Sequence, residues 1–566
     1  MNINVLKLVF LFLGFHSFLV AGQEKKITWL SFDQSAFEKA DQEGKFILLH
    51  LGANWCHWCH VMEDSTYKNK EVVAYLDQYY VSTHEDQDER LDLSVRYRDY
   101  GWPATIVFNS KGEEIVKRRG FMNPEPFLNL LKAIQEDPSP ELEGNFQYTS
   151  VAEDQLFLKI KENSYGALDF KVGGYNHSQK FVPKEPFDLA FFLNDKKGNN
   201  WINTSLIGAQ NLIDPVWGGI YQYSTDNDWN HHHFEKLLDR QGRYIEMYSK
   251  AQIRFNNSEF GASAQQILNY VDRFLNPKTG SLLRFNSQDA DLIAGEHSEG
   301  FFQLNNTARL KQGIPRIDSN LYTGNNAKLA KSLFYMGLAQ NNLAFIDRSK
   351  QMTEELLLRK MPKGYFQHKS ELDVLYFLED QVEMLENLMV QFQWESSKQL
   401  KKELNQLVEG LNQGFWDQES QLYRNYIGKN PLKSGSPEIL NHRLGIALFQ
   451  AAYLLGDAEI ETQARNLLGG LKAKIPDWGY NPLLAEVLDL AKGNYSIVIW
   501  GDTELKREAS NIWVDYHKNG NGATLYKVNY NEEYPSLESE AFYLCEDKSC
   551  GPPKKGVAAL INSLKN

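Results

Sequence analysis

The chain has 566 residues, 42% of them hydrophobic and 13% aromatic, and a formal net charge of -13. That length exceeds what one hydrophobic core organises, so two or three domains are expected. The negative balance repels phosphate backbones and anionic lipid, which argues against a nucleic-acid partner or an anionic membrane surface.

Residues 1–22 carry one early lysine, Lys7, then Leu8-Val9-Phe10-Leu11-Phe12-Leu13, and close on the small pair Ala21-Gly22. This is the order of a secretory signal peptide, and the apolar stretch, broken by His16 and Ser17, is short for a membrane span. Nothing later approaches a span, so an exported protein, periplasmic or secreted, with no membrane span after signal cleavage is expected. In an oxidising compartment cysteines pair by default. Cys545 and Cys550 are expected to form a structural disulfide near the C-terminus.

Residues 23–140 read as one small α/β unit. Ser31 to Glu43 has the caps and periodicity of a helix, and Phe46 to Leu51 reads as a buried strand. Directly behind that strand stands Cys56-His57-Trp58-Cys59-His60. Two cysteines two apart can close and reopen a small disulfide when the first becomes a thiolate, which a helix N-terminus and a nearby imidazole both favour. Cys56 is expected to cap the following helix and to be exposed, with Cys59 sheltered and His57 lowering the pKa of Cys56. The same five residues also spell a c-type haem attachment motif, and two cysteines with two histidines can hold zinc. A strand before the motif and a helix after it suit a thioredoxin better than either.

Glu71 to Tyr79 continues the helical region, Tyr80 to Thr83 and Thr105 to Phe108 read as strands, and Asn109 to Gly112 as a turn to a strand at Ile115 to Lys117. Before the Thr105 strand lies Gly101-Trp102-Pro103, where a thioredoxin fold places a cis-proline beside its disulfide, so Trp102-Pro103 is predicted cis. His50 falls where many thioredoxins keep a buried acid, either relaying the proton of Cys59 or serving as a hydrogen-bonded core residue.

Together, Cys56 to Glu63, the acidic run Glu85 to Arg90 and Gly101-Trp102-Pro103 resemble the thioredoxin-like domain of the spermatogenesis-associated protein 20 family. The resemblance implies a large helical barrel joined to that domain.

Beyond the Pro-rich joint at Asp137-Pro138-Ser139-Pro140, residues 141–490 are helical. Ala264, Ile267, Leu268, Val271 and Leu275 share a helical face, as do Leu404, Leu407, Val408 and Leu411. Glycine before an aromatic or apolar pair recurs at Gly219, Gly280, Gly300, Gly364 and Gly414, which fits an α/α toroid of about six hairpins, or else independent bundles. The family resemblance extends here through Gly173-Gly174-Tyr175, Lys180-Phe181, Tyr223 to Asp226, His233 to Lys236, Asp289-Ala290-Asp291 and Phe377 to Asp380. The chain departs from the family pattern at His232, before Lys180, and at Tyr322 to Asn325. Toroids of this class commonly hold a sugar in a central funnel, which makes Asp226, His233, Glu235, Asp289, Asp291, Glu299 and Asp380 candidate cleft residues. Tyr221, Trp229 and Phe234 read as core. His231 to His233, taken as helical, point apart, so no metal is expected there.

Residues 491–566 read as a small α/β segment with strands at Tyr495 to Trp500, Ala523 to Val528 and Ala541 to Cys545, and a polar helix from Thr503 to Asn511. The fold expected is thus multidomain: a thioredoxin-like domain, an (α/α)6 toroid and a C-terminal α/β segment. The function expected is an exported thiol-disulfide oxidoreductase, with Cys56 attacking, Cys59 resolving, His57 tuning and Pro103 shaping the site. Its partner would be a protein disulfide or redox protein, with no cofactor. The alternatives are a carbohydrate-binding or carbohydrate-processing barrel scaffolded by the thioredoxin-like domain, and a non-catalytic interaction platform.

Overall fold

A computed structural model describes residues 26–141, 153–292, 299–369, 374–475, 481–500, 523–528, 541–546 and 549–565. The signal peptide expected over 1–22 and the polar helix expected over 503–511 lie outside these described residues.

The N-terminal unit is a four-stranded sheet in the order β2-β1-β3-β4. Its strands are β1 (Phe46–Gly52), β2 (Tyr80–Asp86), β3 (Ala104–Phe108) and β4 (Glu114–Arg119), with β1 and β2 parallel and the others antiparallel. Helix α1 (Gln34–Glu43) starts later than the sequence predicts, because the Asp33 side chain rather than Ser31 accepts the first free N–H groups. α2 (His57–Asp64), α3 (Lys70–Tyr79), α4 (Leu91–Tyr97) and α5 (Pro124–Glu136) complete the unit. Successive strand residues face opposite ways. Ile47, Leu49 and Leu51 therefore enter one core with Phe37 and Ile106, whereas Leu48 enters another with Met62, Val72 and Tyr80.

The toroid follows. Helices α6 (Glu153–Gly166), α7 (Lys184–Leu193), α8 (Lys196–Ala209), α9 (Leu238–Phe255) and α10 (Ser258–Phe274) lead to the short α11 (Glu299–Phe302) and α12 (Asn306–Gln312). Then come α13 (Thr323–Ala339), α14 (Leu343–Leu357), α15 (Leu378–Glu395), α16 (Lys398–Gly414), α17 (Glu438–Leu455), α18 (Ala458–Ala473) and α19 (Leu484–Ala491). α9, α13, α15, α17, α19 and α7 pack in succession, and all six contribute side chains to one central cavity of about 250 Å³. They are the inner ring. Inner α9, α13, α15 and α17 are buried on most faces, whereas outer α10 and α16 bury one stripe, the Ala264 and Leu404 faces predicted from periodicity.

Two glycines of these turns have a packing reason. Gly218 and Gly364 take left-handed backbone angles (φ 71° and 91°), and a Cβ at either would run into a carbonyl of the neighbouring outer helix, at Gln266 and Gln406 respectively. The connecting loops can lie against the outer ring only because those positions are bare.

Strands Tyr495–Trp500, Ala523–Val528 and Ala541–Glu546 form the C-terminal sheet, with Cys545 and Cys550 joined in a disulfide. Leu525 of this sheet closes one end of the central cavity, and Tyr526 N–H donates to Gln393 near the end of α15. The opposite mouth is ringed by the N-terminal ends of inner helices, including Lys184, Arg240, Gly324 and Asp380. Over that mouth sits the thioredoxin-like domain.

Candidate functional site

Cys56 is the N-cap of α2, its sulfur accepting the Cys59 N–H at 3.2 Å, and Cys56 and Cys59 are disulfide-bonded. The helix begins at His57, immediately after the first sulfur, so the partial positive charge of its N-terminus falls on Cys56. Trp102-Pro103 is cis, and Trp102 packs against the cysteine pair. His50, fully buried on β1, has Nδ1 3.2 Å from Tyr67 Oη.

The expected exposure of the first sulfur is overturned. Cys56 is not an exposed sulfur: it is only 4% exposed, with Trp102 of its own domain and Leu237 of the barrel rim packed against the cluster it forms with Cys59 and Trp55. What it does face is a cavity of about 540 Å³ that the barrel mouth shares. Half-exposed Trp58 stands at its edge, its ring tilted against Phe121. Tyr175, Tyr223, Glu235, Arg240 and Asp380 line the barrel side.

Strand alternation explains which members of His231 to Lys236 reach this cavity. His232–His233 is a strand paired with Tyr223–Ser224, not the helix expected. His233 and Glu235 turn to the cleft, with His233 stacked on Tyr223 at 4.2 Å. His232, Phe234 and Lys236 turn to the core, where buried Lys236 pairs with buried Asp214 at 2.7 Å. Burial pushes the Glu235 carboxyl up to about 7, helped by the charges of Asp289 and Asp291, and its Oε2 lacks a hydrogen-bond partner.

Asp289 and Asp291 do not line the cavity; they clamp the two domains. Asp291 Oδ2 lies 2.9 Å from His57 Nδ1 and 3.4 Å from His60 Nδ1, and Arg316 Nη2 donates to Asp289 Oδ2 at 2.9 Å. Burial raises the Asp289 pKa, whereas the hydrogen bonds from His57 and His60 outweigh burial and hold Asp291 below the usual carboxylate range. His57 thus spends its imidazole on Asp291 of the barrel as well as flanking Cys56.

Asp380, buried at the start of α15, accepts the Gly324 N–H at 2.8 Å and lies 2.9 Å from His368 Nδ1, while His368 Nε2 reaches the Asp88 carbonyl of the thioredoxin-like domain at 2.8 Å. Asp88 also accepts Trp55 Nε1–H and Asn286 Nδ2–H, and burial holds its pKa well above the usual value. Asp226 falls outside the site: it takes a left-handed turn conformation on the surface near His231, which its short polar side chain tolerates. Glu299 opens α11. The sequence reading took His60 only as part of the Cys56 to His60 motif and missed Arg316, Asn286 and His368, which carry no local motif; the roles of all four appear only where two domains meet. Tyr221, Trp229 and Phe234 are core as expected. Among the described residues, His231 to His233 form no metal-ligand cluster.

Geometry therefore defines a thioredoxin-like domain docked on the mouth of a helical toroid, its disulfide opening into their common cleft. Residues 14–136 match the family model described as "Protein of unknown function, DUF255", of the thioredoxin DsbH type. The chain is 27% identical over 311 residues to human spermatogenesis-associated protein 20, covering 47% of this chain and 39% of that protein. It is 31% identical over 114 residues to the thiol:disulfide interchange protein DsbD of Vibrio cholerae, 19% of each chain. The chain thus spans about two-fifths of the length of the spermatogenesis-associated relatives. Among solved structures it is similar to cellobiose 2-epimerase from Bacillus thermoamylovorans, with a TM-score of 0.46 and 9% identity over 60% of this chain and 100% of that one. Among the described residues no helix is long and apolar enough to cross a membrane.

Proposed function

We propose that the protein is an exported thiol-disulfide oxidoreductase whose redox pair acts on a thiol or disulfide held in the barrel mouth. The observation that carries this reading is the shared cavity, which puts Cys56 and the barrel residues Tyr223, Glu235 and Arg240 around one space. In the reduced protein the Cys56 thiolate attacks one sulfur of a substrate disulfide and expels the other as a thiolate. Cys59, once deprotonated, attacks Cys56 Sγ, breaks the mixed disulfide and releases the second substrate sulfur. Two electrons pass to the substrate, and an external dithiol donor restores them, itself becoming a disulfide.

Burial of Cys56 narrows the substrate to a small disulfide or a slender peptide segment, since a folded protein surface has no approach. Export is supported by the apolar N-terminal stretch and by the second disulfide, Cys545–Cys550. The test is trapping in Cys59→Ser, which leaves Cys56 unable to be resolved. Mass spectrometry is expected to find an adduct on Cys56; a variant that captures none, with a wild-type pair that resists dithiol reduction, removes the redox role.

A second reading makes the barrel the reactive part, acting on a carbohydrate. Glu235 favours it, because a buried carboxyl titrating near 7 is suited to general acid-base work beside Tyr223 and His233. Glycan-array binding that disappears in Glu235→Gln supports it, and absence of any glycan ligand removes it.

A further inference from the structure

We propose that His50, Glu63 and His84 form a binding site for a divalent transition-metal ion, zinc being well matched to two imidazoles and a carboxylate. The site stands apart from the cleft and does not depend on the redox reading.

The sheet, not the local sequence, brings these side chains together. In the parallel register of β1 and β2, His50 pairs directly with His84. Both rings stand on one face of the sheet, their centroids 4.9 Å apart. α2 crosses that face, with Met62 buried in the core beneath it, and delivers Glu63 over the two imidazoles. Glu63 Oε1 is 3.8 Å from His50 Nε2 and 3.6 Å from His84 Nε2. All three ligand atoms lie within 4.8 Å of one another. Ligands bound tetrahedrally to zinc at roughly 2.0–2.1 Å stand roughly 3.3 Å apart, so small side-chain movements close this triangle onto one ion.

The second observation is independent of that spacing. His50 is 0% exposed, and its Nε2 has no hydrogen-bond partner. Nδ1 lies 3.2 Å from Tyr67 Oη, and in the tautomer whose Nδ1–H donates to that oxygen Nε2 presents a lone pair to the cluster. A buried polar atom left so costs about 1–3 kcal/mol; a metal ion is the partner it lacks. Tyr67 then acts as the outer-shell group that fixes the tautomer of a ligating histidine. Glu63 and His84, with side chains 39% and 38% exposed, give the ion a route in and leave room for water as a fourth ligand.

The other group of this kind, His60, Asp289 and Asp291, is different. Its carboxylates already hold His57 and Arg316. The proposed site also lies directly behind the inner sulfur: a Cβ on Gly52 would stand 3.3 Å from His50 Nε2 and 3.4 Å from Cys59 Sγ. An ion there is within electrostatic reach of Cys59.

The test uses the full chain with both disulfides intact, so that no cysteine offers a thiolate. Stripped of metal, it is titrated with zinc against a chromophoric chelator. One zinc per chain is expected, with affinity on the order of 100-fold weaker in His84→Ala and in Glu63→Ala, both at half-exposed positions. X-ray absorption of the zinc-loaded wild type is expected to show nitrogen and oxygen ligands only. A wild type that takes up no zinc, an affinity unchanged in His84→Ala, or a sulfur ligand overturns the site.

Discussion

Replacing Glu235 by glutamine is expected to stabilise the protein, and only at neutral and alkaline pH. Glu235 is 4% exposed, and its carboxyl is held at about 7 against an ordinary 4.5, chiefly by burial. At ~1.36 kcal/mol per pKa unit, ionising it in the folded state costs about 3 kcal/mol more than in the unfolded chain. The sign follows from proton counting. Between pH 4.5 and about 7 the folded protein keeps a proton that the unfolded chain has released, so stability falls across that window as pH rises. Below it both states are protonated and the carboxyl adds no penalty. Glutamine never ionises, so Glu235→Gln should gain about 3 kcal/mol over wild type at pH 8 and almost nothing at pH 4.5. Urea denaturation followed by tryptophan fluorescence at several pH values measures the difference. A gain that is constant with pH, or absent at pH 8, refutes the reasoning that Glu235 is a buried acid poised over the cleft.

Asp291→Asn should cost about 3 kcal/mol, because it removes the buried charge that His57 and His60 share. Since the folded pKa of Asp291 is depressed, the wild type should lose this stabilisation as pH falls through that value, and denaturation of both proteins at pH 7 and at low pH reads it. Lys236→Met should cost about 3 kcal/mol as well, since it strips buried Asp214 of one of its two cations, leaving Arg309; thermal unfolding checks it, and a near-neutral result contradicts the pairing. Gly364→Ala should destabilise by more than about 1–3 kcal/mol, the cost of a left-handed non-glycine residue, because its Cβ also meets a carbonyl of α16.

Much of the thioredoxin-like unit was legible locally. The apolar run before Cys56, the helix after it and the Gly101-Trp102-Pro103 motif are each spelled locally, and all lie within one domain. The toroid was legible as a class because hairpins repeat, with glycines such as Gly218 and Gly364 marking where loops cross the outer ring. The accessibility of Cys56 was not legible, since Leu237, which packs against its cluster, is 181 positions away and belongs to another domain. Asp289 and Asp291 were singled out as cleft acids but serve as interdomain clamps, a difference set by what packs opposite them. His84 passed unnoticed for a related reason: its partner His50 is found by strand register, which the sequence does not spell. Asp226 failed because a lone acid in a motif says nothing about its exposure.

The shared cleft is tested most directly by the reactivity of Cys56 in Cys59→Ser towards disulfides of graded size. Small aromatic disulfides and short peptides should form mixed disulfides with Cys56 at least on the order of 100-fold faster than a folded protein disulfide does, with the peptide rate changed by substitution of Arg240 or Tyr223 across the cavity. Equal rates for small and folded substrates, unaffected by those barrel substitutions, would mean that Cys56 works from an open surface and that the two domains do not share a site.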